Sequence, residues 1–147
     1  MEINIPSAEL DAWIAELKPY QRAILTDFLK TEAPEKVAER WLTTTGSPNL
    51  VAFGGVGDPK PFWERFRTEF DRFLCDESAY VEERKALLAE GSVSKAMLIS
   101  IVASALGATL GFAATLLAPA VTLLLYLAGK IGIAAYCASR PKPDAKT

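Results

Sequence analysis

The chain has 147 residues, half of them apolar, with 16 basic and 18 acidic side chains and no histidine, so the commonest general base and the commonest metal ligand are both missing. Residues 1–92 hold 17 acidic against 11 basic side chains and residues 93–147 hold one against five, an acidic front joined to a sparsely basic, apolar back. Those five, Lys95, Lys130, Arg140, Lys142 and Lys146, are spread over about fifty residues, too thinly to neutralise a run of phosphates, so nucleic-acid binding is not expected.

Residues 1–6 carry Glu2 and no basic cluster, unlike a secretory signal, which places the front of the chain in the cytoplasm. Ser7 is positioned to cap a helix whose Leu10, Trp13, Ile14 and Leu17 form one apolar stripe, ended at Lys18-Pro19. A second helix from Tyr20 sets Ile24, Leu25, Phe28 and Leu29 on one side. A third opens with Pro34 and Glu35 in its first turn and carries Val37, Ala38, Trp41 and Leu42. Residues 43–60, rich in Gly and Pro, read as a loop. They lack the Gly-Lys-Ser/Thr ending of a phosphate-binding P-loop and follow no strand.

The cleanest periodicity comes next: Phe62, Trp63, Phe66, Phe70, Phe73 and Leu74 share one side of a helical wheel, while Glu64, Arg65, Arg67, Glu69, Asp71 and Arg72 take the other. An aromatic face of this kind suits a bilayer interface when the polar face is basic. Here three acids balance three arginines, and Arg65–Glu69 and Arg67–Asp71 fit i, i+4 pairs of a solvated face, which favours a core role for the aromatics. A helix over residues 77–90, with Tyr80, Val81, Leu87 and Leu88 on one side, leads to Gly91-Ser92. The front-domain core is thus expected to hold Trp13, Phe28, Trp41, Phe62, Trp63, Phe66, Phe70 and Phe73.

Between Lys95 and Lys130 stand 34 residues without a charge, and nine more follow before Arg140. The 43 residues from 96 to 138 give about 64 Å of helix, enough to cross a bilayer core of ~30 Å twice. Pro119 is the natural turn. The reading is therefore all-α: a soluble cytoplasmic helical bundle over residues 1–92, a two-helix transmembrane hairpin over 93–139 with spans near 96–117 and 121–138, and a polar tail over 140–147. Lys95, Lys130, Arg140 and Lys142 flank the hairpin, which keeps both its ends cytoplasmic, as expected for a bacterial inner-membrane protein. Lys130 falls inside the second span and must snorkel, line a polar interior or mark an earlier end to the membrane portion. Cys75 and Cys137, far apart in sequence, are expected as reduced thiols.

The first span also carries small residues at four-residue spacing, Ala103, Gly107 and Gly111, with a parallel row at Ser100, Ser104 and Ala108. Such rows let helix backbones approach closely in lipid, either within the hairpin or between copies of the chain. In layout the uncharged hairpin resembles that of pore-forming colicins, and the whole chain resembles small two-span effectors of bacterial defence systems; no shared motif carries any residue across. No nucleophile has a base nearby in sequence, so neither catalysis nor a cofactor or metal is expected. The partners expected are a lipid bilayer, further copies of the chain and a protein that engages the front domain. The function expected is membrane disruption or pore formation, and the alternative is a membrane-anchored adaptor.

Overall fold

The structure, a computed structural model, describes residues 5–45, 60–89 and 93–139. Among these, every regular element is helical: α1 (Leu10–Ile14), α2 (Pro19–Leu29), α3 (Pro34–Arg40) continued by a π-helical turn (Trp41–Thr45), α4 (Lys60–Cys75), α5 (Val81–Ala89), α6 (Lys95–Leu110), α7 (Ala114–Ile131) and α8 (Ile133–Ser139). The helical path runs on to Thr45, into the stretch read as a loop over 43–60; residues 46–59 lie outside the described residues, as do Arg140, Lys142 and Lys146.

Local chemistry accounts for most helix starts. Pro19 and Pro34 stand in the first turns of α2 and α3, each after an extended residue, where their fixed φ suits the helix and the missing N–H costs nothing. Ser94 caps α6 by accepting from the Met97 amide at 3.1 Å. Ser7 is not the cap of α1: the helix begins two residues later, after Glu9, whose carbonyl accepts the first helical bonds.

α7 runs through the middle of the assembly. It packs against α1, α3, the π-helical turn, α6 and α8, while α4 lies against α6 and α8, and α5 against α6. One buried cluster extends from Trp13 in α1 to Tyr136 in α8, and the expected boundary at residue 92 does not interrupt it. The front helices and the apolar pair thus share a single core. Trp13, Trp41, Phe62, Trp63, Phe66, Phe70 and Phe73 are buried in it, and Phe28 packs partly buried at its edge.

Three expectations about faces and turns are corrected. Pro119 does not form the hairpin turn; it stands inside α7, and the chain reverses at residues 111–113. Consequently the second apolar helix covers Ala114–Ile131 and not 121–138, and Gly132 separates it from α8. Arg67 and Asp71 are not on a solvated face either: they form their i, i+4 ion pair, Nε to Oδ1 3.8 Å, at 9% and 7% exposure, because α8 folds back over that side of α4. On α5 the inward residues are Arg84 and Leu87, while Val81 faces solvent.

Candidate functional site

The segment that sets this chain apart is α7 with its partner α6. Seven consecutive residues of α7, 119–125, are buried, so the middle of this helix is covered on all sides, while Thr115, Lys130 and Ile131 at its ends are exposed. A helix apolar all round belongs either in a large core or in a membrane. With 18 residues it is about 27 Å long, and it is the one helix among those described that is long and apolar enough to cross a membrane. α6, at 16 residues, is apolar but shorter.

The reversal between them depends on two glycines. The Gly107 carbonyl accepts from the amides of both Gly111 (2.8 Å) and Phe112 (3.0 Å), and Gly111 takes φ +85°, a left-handed conformation that glycine adopts without strain. A Cβ on Gly107 would stand 2.4 Å from the Phe112 carbonyl oxygen, so the crossing is possible only without a side chain. Phe112 then seats its ring edge-on against Phe62 of α4, centroids 4.7 Å apart. Within the small-residue row, Ala103 and Gly107 are buried inside the chain and Gly111 is exposed at the turn. Ser100, Ser104 and Ala108 face outward in a shallow groove beside Glu82, Glu83 and Ala86 of α5.

Pro119 leaves a polar defect in α7. Lacking an N–H, it cannot donate to the carbonyl four residues earlier, that of Thr115. The buried amide of Gln21 fills the place: its Nε2 donates to the Thr115 oxygen at 3.0 Å, and its Oε1 accepts from the Lys18 amide at 3.2 Å. One residue on, Trp41 Nε1 donates to the Leu116 carbonyl at 2.8 Å. Thr122, also buried, turns its hydroxyl back to the Ala118 carbonyl at 2.8 Å. Gln21 of α2 and Trp41 of the π-helical turn therefore grip the start of α7 by its backbone carbonyls.

The far end of α7 is held differently. A Cβ on Gly129 would lie 2.9 Å from Ile5 Cγ2 and 3.2 Å from the Pro6 carbonyl, so the N-terminal segment crosses the helix at close range there. Lys130 is exposed, its Nζ 5.8 Å from the Tyr126 ring. Gly132, at φ +93°, breaks the helix and lets α8 turn back onto α4. There Tyr136 donates to Asp71 Oδ1 at 2.5 Å and sets its ring edge-on to Phe70, centroids 6.2 Å apart. Arg67 joins the group by pairing with Glu35 of α3. Burial works against the charge of Arg67, but Tyr136 and Glu35 outweigh it and hold the guanidinium above its ordinary pKa.

Cys75 and Cys137 form a disulfide, Cα atoms 5.5 Å apart, which corrects the expectation of two free thiols. Sequence separation says nothing about this pairing; the fold brings it about. Arg67, Asp71 and Cys75 lie at i, i+4 and i+8 of α4, one row, and Tyr136 and Cys137 are neighbours in α8. Docking of Tyr136 on Asp71 therefore presents Cys137 to Cys75, one turn further along.

Two contacts complete the scaffold around α4. Arg84 donates to the Phe73 carbonyl, in the last turn of α4 where carbonyls run out of helical donors. The Tyr80 hydroxyl donates to Glu69 Oε1 at 2.6 Å and lies 3.0 Å from the Thr109 hydroxyl of α6. Burial, with Glu69 beside it, pushes the Tyr80 hydroxyl up to about 12. Among the described residues no three acidic or cysteine side chains converge as a metal site would require. Comparison with protein-family models, with curated proteins and with solved structures finds no match for this chain.

Proposed function

We propose that this chain is a membrane-disrupting, pore-forming protein of the effector type, which carries its membrane helices folded inside its own amphipathic helices until it meets a bilayer. The observation that carries this reading is α7: an 18-residue apolar helix whose middle, residues 119–125, is buried among the helices packed around it, which include α1, α3, α6 and α8. A bilayer offers such a helix the same apolar surroundings, so transfer from the protein core to lipid exchanges one burial for another. On this reading α6 enters with α7 as the shorter arm of a hairpin, the turn at residues 111–113 reaches the opposite surface, and the flanking basic residues keep both chain ends on the cytoplasmic side. Copies then associate in the bilayer, with the outward row Ser100, Ser104 and Ala108 supplying a close-packing face.

A second reading has its own support. An adaptor anchored to the membrane needs one span, and one helix meets that length. Its helical front would then recruit a protein partner, with no loss of the membrane barrier. The separating experiment expresses the full chain in bacteria carrying a membrane-potential dye and, in parallel, adds purified chain to dye-loaded vesicles of phosphatidylethanolamine and phosphatidylglycerol. Depolarisation and dye release support the effector; stable membrane association with an intact barrier supports the adaptor. A chain that stays in the soluble fraction under both conditions removes both readings.

A further inference from the structure

The disulfide closes the part of the fold that would have to open first. α8 is a seven-residue helix with one buried side chain, Tyr136, while Ala134, Ala135, Ala138 and Ser139 face solvent. A helix of two turns has little stability of its own. Its ties to α4 include the contacts of Tyr136 with Asp71, Arg67 and the Phe70 ring, and the Cys75–Cys137 bond. Both cysteines are only partly buried, within reach of a reagent in solution, whereas Phe70 beneath Tyr136 is fully covered. Gly132, at φ +93°, stands between α7 and α8 as the point about which the short helix can swing.

We propose that Cys75–Cys137 is a thiol–disulfide exchange site that takes a dithiol reductant, and that its reduction frees α8 from α4. In the exchange, a thiolate of the dithiol attacks one sulfur of the pair, the Cys75–Cys137 bond breaks and a mixed disulfide forms. The second thiol of the reductant then displaces the remaining cysteine. Two electrons pass to the cysteine pair, both sulfurs end as thiols, and the reductant leaves as its own disulfide. With the covalent tie gone, only noncovalent contacts hold α8, those of Tyr136 with Asp71, Arg67 and Phe70 and the packing of Ile133 on the core. Its departure uncovers the Phe70 side of α4. The oxidised chain is the sealed form and the reduced chain the form ready to insert.

The consequence for membranes rests on the function proposed above, so the test reads the two separately. The full-length oxidised chain is compared with the same chain treated with dithiothreitol, without mutation, by hydrogen exchange of the α8 and α7 amides and by dye release from vesicles of phosphatidylethanolamine and phosphatidylglycerol. Reduction is expected to speed exchange across α8 by about tenfold or more, with smaller changes in α3, and to raise dye release several-fold; Cys75→Ser should behave as the reduced chain under both conditions. Unchanged exchange in α8 overturns the proposal whatever the vesicles do. Faster exchange with equal dye release from both forms overturns the gating role. Faster exchange with no release from either form supports the exchange site and counts against membrane disruption itself.

Discussion

The side-chain amide of Gln21 donates to the Thr115 carbonyl, the one acceptor in α7 that Pro119 deprives of its helical donor. A polar residue 1% exposed and an interior proline are each unfavourable alone; together they satisfy one another across 94 residues of sequence. The pairing makes the front of the chain a part of α7's own hydrogen bonding. It also gives α7 a reason to stay folded inside the bundle, since lipid would offer the Thr115 carbonyl no donor.

Removal of the Gln21 amide is therefore expected to cost about 1 kcal/mol, the net worth of a part-buried hydrogen bond. The check is a double-mutant cycle by chemical denaturation. Gln21→Ala alone should destabilise, while in a Pro119→Ala background, where residue 119 regains its N–H, the same change should cost much less. Equal losses in both backgrounds would show that Gln21 acts by packing alone.

Gly107 and Gly111 are both needed for the reversal between α6 and α7, for different reasons. Gly111→Ala forces a side chain into the left-handed region, at roughly 1–2 kcal/mol. Gly107→Ala should cost more, because its Cβ would meet backbone and not a side chain able to move away. Thermal unfolding of the two variants ranks them, and a Gly107→Ala chain as stable as the wild type would rule out this turn geometry.

How far the sequence discloses this arrangement differs from residue to residue. The stripe Phe62, Trp63, Phe66, Phe70 and Phe73 repeats at helical spacing, and the inward placement of those rings follows from that period. Proline is the strongest local breaker signal and so points to a turn at Pro119, while a donor 94 residues away that repairs the break leaves no trace nearby in sequence. Gly111 is the residue that marks the reversal, yet inside an apolar run it reads equally well as a packing glycine. Arg67 and Asp71 fit a surface ion pair by spacing; only the return of α8, set by the glycine at 132, buries them and joins Cys75 to Cys137. Uncharged length is legible, but which neighbour covers it is decided by contacts distant in sequence.

Alkaline pH should loosen the fold through its buried tyrosines. Tyr80 ionises near 12 in place of the ordinary 10, and Tyr136 is shifted in the same direction, by burial first and then by Asp71. A raised folded-state value means the contribution is complete below pH 10 and is lost as the pH climbs toward 12. The urea midpoint should hold steady to about pH 10 and then fall, and Tyr80→Phe should flatten part of that fall. An identical alkaline slope in Tyr80→Phe would remove Tyr80 from the account.

The disulfide spans 62 residues of sequence, and closing a loop of that size in the unfolded chain corresponds to about 4 kcal/mol of stability on the loop-entropy model. Denaturation of oxidised and reduced chains, each followed by tryptophan fluorescence, measures it. A difference under about 1 kcal/mol would indicate that the unfolded chain already keeps these segments together.

Membrane topology decides between a hairpin and a single anchor, and the fold supplies two exposed positions that answer oppositely. In a Cys75→Ser, Cys137→Ser background, one variant carries Ala113→Cys at the turn and another Ser139→Cys at the end of α8, both exposed in the folded chain. If α6 and α7 cross together, Ala113→Cys should react with an impermeant thiol reagent outside intact cells, and Ser139→Cys should react only after lysis. If α7 crosses alone from a cytoplasmic front, the pattern inverts: the turn stays protected and the C-terminal position becomes accessible. The shortness of α6, about 24 Å at helical rise, works against the hairpin, while the absence of any charge between Lys95 and Lys130 works for it. Thinning of the bilayer by a few ångströms costs only fractions of a kcal/mol per Å, far less than placing a charge at its centre; the hairpin pattern is therefore the one expected. Protection of both positions, with the chain in the soluble fraction, would place α7 permanently in the protein core and end the membrane reading.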